Sequence, residues 1–568
     1  MDSTAEGARD AKRARLTPSP PAPGDDADLI SGLDDDVLLR VLGLVADVRD
    51  AARTAALSRR WLRLWTRAPA LRFASQPVPR AAANAAERRA AVDRYVAFVN
   101  GILARRTTQS DDGAAAIESL AISCSRDDVS IGGANSDHDL ERRLMMAASV
   151  DAARGWIRYA FQHGMRSLIL DVHLMPVRPR LCGEREDGEG DDEKPAAVLL
   201  PDDLPSPARL ETMRLSLGGA RLRLSSATVK FASLKDLSLE RIRIADGGGA
   251  RLLARLVSAA SCPHLQKLRM SRLRFPNFGG EMRLEADALS ELWVEDMSMM
   301  SLELSTPGLR ILHIDDCYLE VLSLSAPRLE QAALFFGQGS GWPLRLFQVD
   351  GDLPCLLSLK ICMWAYRALD FHCIGEQNDC YTLLLKHCSL RTRLEVTLGG
   401  GKNNLSKEHE DVIKDKVPHL PQITSLTVNV SDEFERHDFG AGVASLLTRF
   451  TNLRHLSLHL PFFVTLYYDL GEGLDLECDH PDHWASYEIS MAHLQEVELT
   501  GLTGIDCELW FMEAVIASAR RLRKASISFN TECWQHECKM DAFERMLLDE
   551  GMRTSCRDKF KLTCLINK

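Results

Sequence analysis

A short apolar pattern recurs along most of the chain and constrains its fold more than any other feature. The pattern is Leu-x-x-Leu-x-Leu with conservative apolar replacements, and it occurs thirteen times. Such alternation over a few residues predicts a β-strand that is buried on one side. One unit cannot cover its own apolar face, so neighbouring units have to stack. The pattern begins at Ile117, Met165, Leu210, Leu234, Leu265, Leu289, Leu309, Leu329, Leu356, Ile423, Leu453, Leu494 and Leu522.

The spacing of these units predicts an irregular leucine-rich solenoid with parallel strands. In the middle of the chain successive units start 20 to 31 residues apart, which is the period of such repeats. The interval then widens to 67 residues between Leu356 and Ile423. Two Leu-x-Leu-Ser-x-Pro motifs, at 302–307 and 322–327, predict that short repeats return through a second strand. The longer segment 247–260 has room for a return helix.

The solvent-facing positions of these strands form a candidate binding surface. They alternate with the inward leucines, and rigid strands hold them in rows on what would be the concave side. Exposed tryptophan and arginine are typical of binding hot spots. Ser238, Ser271 and Ser457 fall at the same positions. The residues predicted to bind a protein target are Glu240, Arg269, Trp293, Glu295, His313, Asp315 and His459.

Residues 28–73 have helical periodicity instead and are predicted to form a small self-contained helical unit. Three aspartates at 34–36 suit the positive end of a helix, and apolar residues then recur at helical spacing. Two further helices are predicted, from about Val48 to Leu57 and around Trp61. So short a unit cannot bury all of its large apolar groups by itself. Part of its surface is therefore expected to bind a partner.

The order of residues in this unit resembles the plant F-box. The matching elements are Ile30-Ser31-x-Leu33, Val37-Leu38-x-x-Val41-Leu42 and above all Leu57-Ser58-Arg59-Arg60-Trp61-x-x-Leu64-Trp65. In that family three helices bind a Skp1-like adaptor, which joins a substrate receptor to a cullin ubiquitin ligase. One departure is Asp34, where the family usually has proline, although an acidic residue also suits a helix start. The resemblance assigns the adaptor interface, or the small core that shapes it, to Leu33, Leu38, Val41, Leu42, Leu57, Trp61 and Trp65.

The resemblance to plant F-box proteins with leucine-rich repeats extends along the chain. The segment 153–170 resembles the first helix-strand unit of their repeats, and the C-terminal portion resembles their FBD-type region, which would continue and cap the solenoid. The implied fold class is α/β, a small three-helix F-box followed by an irregular leucine-rich-repeat solenoid with parallel strands. The implied organisation is a disordered tail (1–27), the F-box (28–73), a helical linker (74–115), repeats with a flexible acidic insertion near 182–196 (116–444) and FBD-like repeats with a cap (445–568).

The net charge and the cysteines indicate which kinds of partner the protein binds and in which cell compartment it is found. The formal net charge of -11 argues against broad nucleic-acid binding, which needs clustered lysine and arginine. The 15 cysteines are an odd number without a dense framework, and the sequence contains neither a signal peptide nor a long apolar run. These features predict a protein of the cytoplasm, the nucleus or both, with no membrane partner.

No motif in the sequence indicates catalysis or a cofactor. His-Glu-x-x-His and nucleophile motifs are missing, and the glycine runs at 247–249 and 399–401 lack the spacing or the residues of a P-loop. Cys and His residues cluster at 478–483 and 533–538, but neither cluster has the Cys-x-x-Cys knuckle of a structural zinc site. We therefore predict a protein without enzymatic activity, cofactor or metal.

The function that the sequence and the resemblance together predict is substrate recognition within a Skp1-cullin-F-box ubiquitin ligase. The F-box would bind a Skp1-like adaptor and, through it, a cullin, and the repeats would bind the protein to be ubiquitinated. Two alternatives stay open. One is an interaction scaffold that binds the adaptor without turnover of a client. The other is a small-molecule-sensing receptor, which requires a pocket with converging polar groups.

Overall fold

A computed structural model gives the fold of the chain. Every helix and strand described below, and every side chain, belongs to the part of the chain that this structure describes. That part comprises residues 30, 32–74, 85–109, 117–125, 150–173, 197–199, 206–223, 230–244, 248–276, 280–336, 344–366, 374–387, 393–400, 411–431, 434, 439–461, 487–502, 506–529 and 561–564.

Strands account for most of the regular structure. They are β1 Ala70–Phe73, β2 Ser119–Ser125, β3 Ser167–His173, β4 Ala197–Leu199, β5 Thr212–Ser216, β6 Arg221–Arg223, β7 Asp236–Glu240, β8 Arg243–Ile244, β9 Lys267–Ser271, β10 Glu281–Glu285, β11 Glu291–Glu295, β12 Ser298–Ser305, β13 Ile311–Ser325, β14 Gln331–Phe336, β15 Leu346–Val349, β16 Ser358–Trp364, β17 Arg393–Gly399, β18 Ser425–Val430, β19 His455–His459, β20 Glu496–Leu502, β21 Lys524–Phe529 and β22 Lys561–Cys564.

Helices lie before the strands and between them. They are α1 Asp35–Leu44, α2 Val48–Arg53, α3 Trp61–Leu64, α4 Ala85–Gln109, α5 (residues 150–162), α6 Gly249–Leu256, α7 Ile374–Lys386, α8 Val412–Lys416, α9 Gly440–Leu447 and α10 Asp506–Ser518, with 3-10 turns at Thr54–Ala56 and Trp65–Arg67. Among the described helices, none combines the length and the apolar character needed to cross a membrane.

The main sheet is a long parallel ladder, so the coarse prediction of a mixed α/β chain with parallel strands is confirmed. Each strand pairs with the next in register, so inward leucines stack on inward leucines while the alternate residues form rows on the other side, which we call the open face. All thirteen apolar patterns lie on strands of this ladder. Its order is β1, β2, β3, β5, β7, β9, β11, β13, β14, β16, β17, β18, β19, β20, β21 and β22.

The interval of 67 residues contains a strand that the pattern missed. Strand β17 pairs with β16 on one side and β18 on the other, and its Leu394, Val396 and Leu398 are buried. Arg391 stands where the pattern requires the first leucine, so the unit lacks its signature. The helix α7 also lies within this interval.

Short repeats return through a second strand, as the Leu-x-Leu-Ser-x-Pro motifs predict. A second parallel ladder runs β10, β12, β13 and β15, and the 15-residue β13 pairs in both ladders. The turns that leave the main sheet after β7, β9 and β11, and the bend within β13, all contain a residue with positive φ. Helix α6 forms within the segment predicted to return through a helix. The residues with positive φ are Arg241, Arg272, Asp296 and Asp316.

The N-terminal helices α1 to α3 have a small core of their own but are not self-contained. Strand β1 lies within the predicted unit 28–73, yet it pairs with β2 and begins the main sheet. Helix α4 buries Val99 and Leu103 in the main core, as Val48 of α2 does, and so packs on the sheet rather than linking two domains. Apolar surface on both segments is therefore buried against the sheet, and α4 forms the helix predicted within the segment 74–115.

Candidate functional site

Helix α1 and the turn before it carry an exposed row of apolar side chains, which we call the α1 stripe: Leu33 in the turn, and Val37, Val41 and Leu44 on the helix. Their exposed fractions are 38%, 42%, 48% and 79%. Residues three and four apart lie on one side of a helix, so Val37, Val41 and Leu44 are neighbours along α1. Single exposed hydrophobic residues are common, but a contiguous set of them marks an interaction surface.

The opposite side of α1 is also apolar and is already occupied. Its leucines pack in the small core of the N-terminal helices. The apolar side of a surface helix is normally covered by the rest of the protein. Because α1 is covered on one side only, its exposed side is the strongest candidate for a partner among the described helices. The residues of the small core are Leu38, Leu39, Leu42, Ala51, Trp61, Leu64 and Ala68, with Val45 and Trp65 packed against it.

The seven residues assigned to the adaptor interface, or to the small core that shapes it, divide into two groups by their exposure. Leu33, Val41 and Leu57 are exposed, and the exposed fraction of Leu57 is 67%. The other four lie in the small core or against it, so they shape the surface instead of forming it. They are Leu38, Leu42, Trp61 and Trp65.

Arg60, in the turn that follows α2, forms hydrogen bonds with residues at the start of α1. Its Nε donates a hydrogen bond to Asp35 Oδ1 at 2.7 Å, and its Nη2 donates to the backbone carbonyl of Leu33. Arg67 lies near the other oxygen of Asp35, at 3.8 Å. These bonds hold the backbone of Leu33, at one end of the α1 stripe, close to the segment that carries Leu57.

A second candidate surface lies on the open face of the main sheet, where rings stack from strand to strand. The Arg269 guanidinium lies 4.9 Å from the centroid of the Trp293 ring, and this ring lies 4.5 Å from that of His313. The ring of Phe335 on β14 meets His313 edge-on at 6.4 Å. Trp293, His313 and Phe335 are each partly exposed, and we call them the aromatic row; Phe335 contacts His313 from the position in register with Asp315. In-register pairing produces the stack, because it places equivalent positions of β9, β11 and β13 side by side.

Carboxylates lie beside the aromatic row, two residues further along their strands. We call Glu240, Glu295 and Asp315 the acidic row; the parallel register aligns them through Ser271. Partial burial raises the pKa of Glu240, and repulsion from Asp171 and Glu295 raises it further against the attraction of nearby arginines. The environment of Glu240 therefore disfavours its negative charge.

His459 is not part of this cluster, because β14, β16, β17 and β18 separate its strand from β13. It belongs to a polar network in which its Nε2 lies 3.1 Å from Ser457 Oγ and its Nδ1 lies 2.6 Å from Thr500 Oγ1. The carboxylate of Glu498 accepts from the Ser457 hydroxyl at 3.3 Å. A hydrolytic triad needs the carboxylate on the imidazole instead, so this network differs from one.

Neither of the predicted Cys and His clusters can be placed in the described part of the chain, and one cavity there is small. The Cys and His clusters at 478–483 and 533–538 lie outside those residues, and the described part holds no group of three or more potential metal ligands. A cavity between α9, α10 and the inner side of β19 and β20 measures about 10 Å³, room for about one water molecule. It lies behind the open face and has an apolar lining apart from the buried Glu508.

Several residues of the two surfaces were not among those predicted. Ile30, Val37 and Leu44 are exposed apolar residues, and the spacing of Val37, Val41 and Leu44 was a signal in the sequence. Phe335 alternates with the inward residues of its strand, so its outward position could have been predicted from the sequence in the same way as that of Trp293. The sequence showed that Arg60 belongs to the Leu-Ser-Arg-Arg-Trp motif, but only the structure showed its hydrogen bonds to Asp35 and Leu33.

Comparison with known proteins does not assign a function to these surfaces. No protein-family model matches the chain. A search of curated proteins likewise finds no significant match.

Proposed function

We propose that the chain is the substrate-recognition subunit of a Skp1-cullin-F-box ubiquitin ligase. The α1 stripe and Leu57 bind a Skp1-like adaptor, and the open face of the main sheet binds the protein to be ubiquitinated. The observation that carries the proposal is that two features coincide in one segment. The segment whose sequence resembles the F-box is also the segment where exposed large apolar side chains concentrate, at Ile30, Leu33, Val37, Val41, Leu44 and Leu57.

The energetics of the α1 stripe favour a protein partner. Fully burying a leucine or valine side chain contributes about 1.5 to 3 kcal/mol relative to leaving it in water. Half-exposed side chains contribute part of that amount each, and several of them together are sufficient to anchor an interface once a partner covers them. A non-enzymatic receptor of this kind acts by proximity, since it raises the effective concentration of the client's lysines near the charged conjugating enzyme.

The first test is co-expression of the full chain with a plant Skp1-like adaptor, followed by size-exclusion chromatography and measurement of the dissociation constant. Val41→Asp places a charge in the centre of the α1 stripe and should weaken the complex by about tenfold or more. Leu383→Asp is the matched control, because Leu383 is also a helical residue and has a similar exposed fraction, 43%.

Leu383→Asp should bind the adaptor as the unchanged chain does. Equal binding by Val41→Asp and the unchanged chain would contradict the adaptor assignment. A ubiquitination assay on a captured client then separates the ligase from a scaffold that binds the adaptor without turnover.

A further inference from the structure

The open face between β7 and β14 presents an apolar surface that the core does not use. The aromatic row contributes three large rings from consecutive strands, and each is partly exposed. Parallel strands lie about 4.8 Å apart, so the row spans roughly 10 Å across the sheet. That span matches one or two side chains of an extended peptide better than the broad apolar patch of an obligate subunit interface.

Some of the acidic side chains around these rings pair with arginines, and others do not. Glu240 pairs with Arg241 at 3.3 Å, and Asp296 pairs with Arg272 at 3.5 Å and Arg274 at 2.9 Å. Arg269 lies over Trp293. Glu295 and Asp315, side by side in the register, form no ion pair with a lysine or arginine of the described chain; His313 Nε2 is 3.9 Å from Asp315.

The position that carries the acidic row holds no basic residue on the neighbouring strands. From β3 to β14 it is occupied in turn by Asp171, Ser216, Glu240, Ser271, Glu295, Asp315 and Phe335. The positions nearer the strand starts differ, because acidic and basic residues there pair across strands, as Arg214 does with Asp236 and Lys267 with Glu291. The acidic residues of this position therefore lie at the edge beside the rings.

From this juxtaposition we infer that the open face between β7 and β14 binds an extended segment of the client in which arginine or lysine stands close to an aromatic residue. The cation pairs with Glu295 and Asp315 while the aromatic side chain packs on Trp293, His313 and Phe335. Arginine fits best, since its planar guanidinium both stacks on rings and bonds carboxylates in pairs. The inference rests on the proposed receptor function for its biological meaning, but the binding itself does not involve the adaptor.

The test uses a fluorescein-labelled synthetic peptide with two arginines flanking a tryptophan in a glycine-serine background, titrated with the full chain by fluorescence anisotropy. A second peptide has glutamates in place of the arginines, and a third has alanine in place of the tryptophan. We expect binding of the first peptide, weaker binding of the third and none of the second. If the first peptide does not bind, the inference is wrong.

Two double variants separate a local site from general attraction to an acidic protein. Glu295→Lys with Asp315→Lys should weaken binding by about tenfold or more, the loss expected for removal of buried charge pairs. Glu285→Lys with Glu303→Lys changes the net charge equally, but on the second ladder, and should change the affinity by less than about twofold. Equal weakening by both pairs would overturn the inference.

A third variant examines the rings. Trp293→Ala should weaken binding of the tryptophan peptide by about tenfold and that of the alanine peptide much less, because the lost stacking involves only the former. Equal losses for the two peptides would also overturn the inference. Since the adaptor is absent from all of these measurements, failure here leaves the co-elution test of the adaptor interface unaffected.

Discussion

At the scale of single residues, Arg60 connects the two parts of the proposed adaptor surface. Its guanidinium bonds Asp35 and the carbonyl of Leu33, so it sets the position of the α1 start relative to the segment of Leu57. Arg59, the preceding residue, is exposed and takes part in none of these bonds. The two arginines of the motif therefore differ in role although they are adjacent and identical.

We predict that Arg60→Ala weakens adaptor binding by about three- to tenfold while lowering the free energy of unfolding by no more than about 1 kcal/mol, since the ion pair is half-exposed and water screens it. Arg60→Lys should recover part of the affinity, because lysine keeps the charge but not the fork that reaches two acceptors. Calorimetric titration with the adaptor and thermal unfolding measure the two effects. If Arg59→Ala changes the adaptor affinity and the unfolding free energy as much as Arg60→Ala does, Arg60 does not position the adaptor surface.

At the scale of elements, α1 uses its two sides for different purposes. Leu42 is 2% exposed in the small core, whereas Val41, the adjacent residue, is 48% exposed. Leu42→Ala should reduce the stability of the helix by about 2 to 5 kcal/mol, the usual effect of truncating a buried leucine. Val41→Ala should change it by less than about 0.5 kcal/mol.

Hydrogen exchange of the α1 amides checks this prediction directly, because it reports local opening of Asp35–Leu44 independently of the long sheet. The Leu42 variant should lose protection across the helix, and the Val41 variant should keep it. Similar protection in the two variants would mean that α1 is held by contacts other than its own core.

At the scale of the whole molecule, hydrogen bonds connect the N-terminal helices to the first strand of the sheet and to α4. The buried guanidinium of Arg106 on α4 donates to the carbonyl of Ala68 at 2.7 Å, and burial lowers its pKa. Arg72 on β1 donates to the carbonyl of Gly43, and the Asp47 carboxylate accepts from the backbone of Ala74 at 2.9 Å. The proposed adaptor surface and client surface therefore lie on one continuous framework, which fits a receptor that acts by proximity.

We predict that Arg106→Ala loosens this connection and lowers stability by about 1 to 3 kcal/mol, because a buried carbonyl loses its donor. Arg105→Ala is the matched control, since Arg105 is the exposed neighbour on the same helix. Hydrogen exchange of the α4 amides should become faster in the Arg106 variant alone, because only that variant loses the bond to Ala68. Equal rates in both variants would show that other contacts carry the connection.

Much of the fold was predictable because the signals are local. Alternating leucines predicted all thirteen strands that they mark, since alternation along a strand depends only on the residues of that strand. The second strand near Leu302 and the helix after Gly248 were likewise predictable from the length and pattern of each repeat. Strand β17 was missed for the same reason, because Arg391 removes the local signal while Leu394 and Val396 still pack in the core.

The sequence by itself determined the thirteen strands marked by the leucine pattern, the helices of the N-terminal segment, and which residues of each marked strand point inward. Only the tertiary structure decided that Phe73 and Val99 belong to the core of the sheet, that α1 is covered on the side of Leu42 and left open on the side of Val41, and that Trp293 stacks on His313. Periodicity reports the conformation of a segment, but it does not report what covers that segment. When both sides of a helix are apolar, the choice depends on the packing of distant parts of the chain.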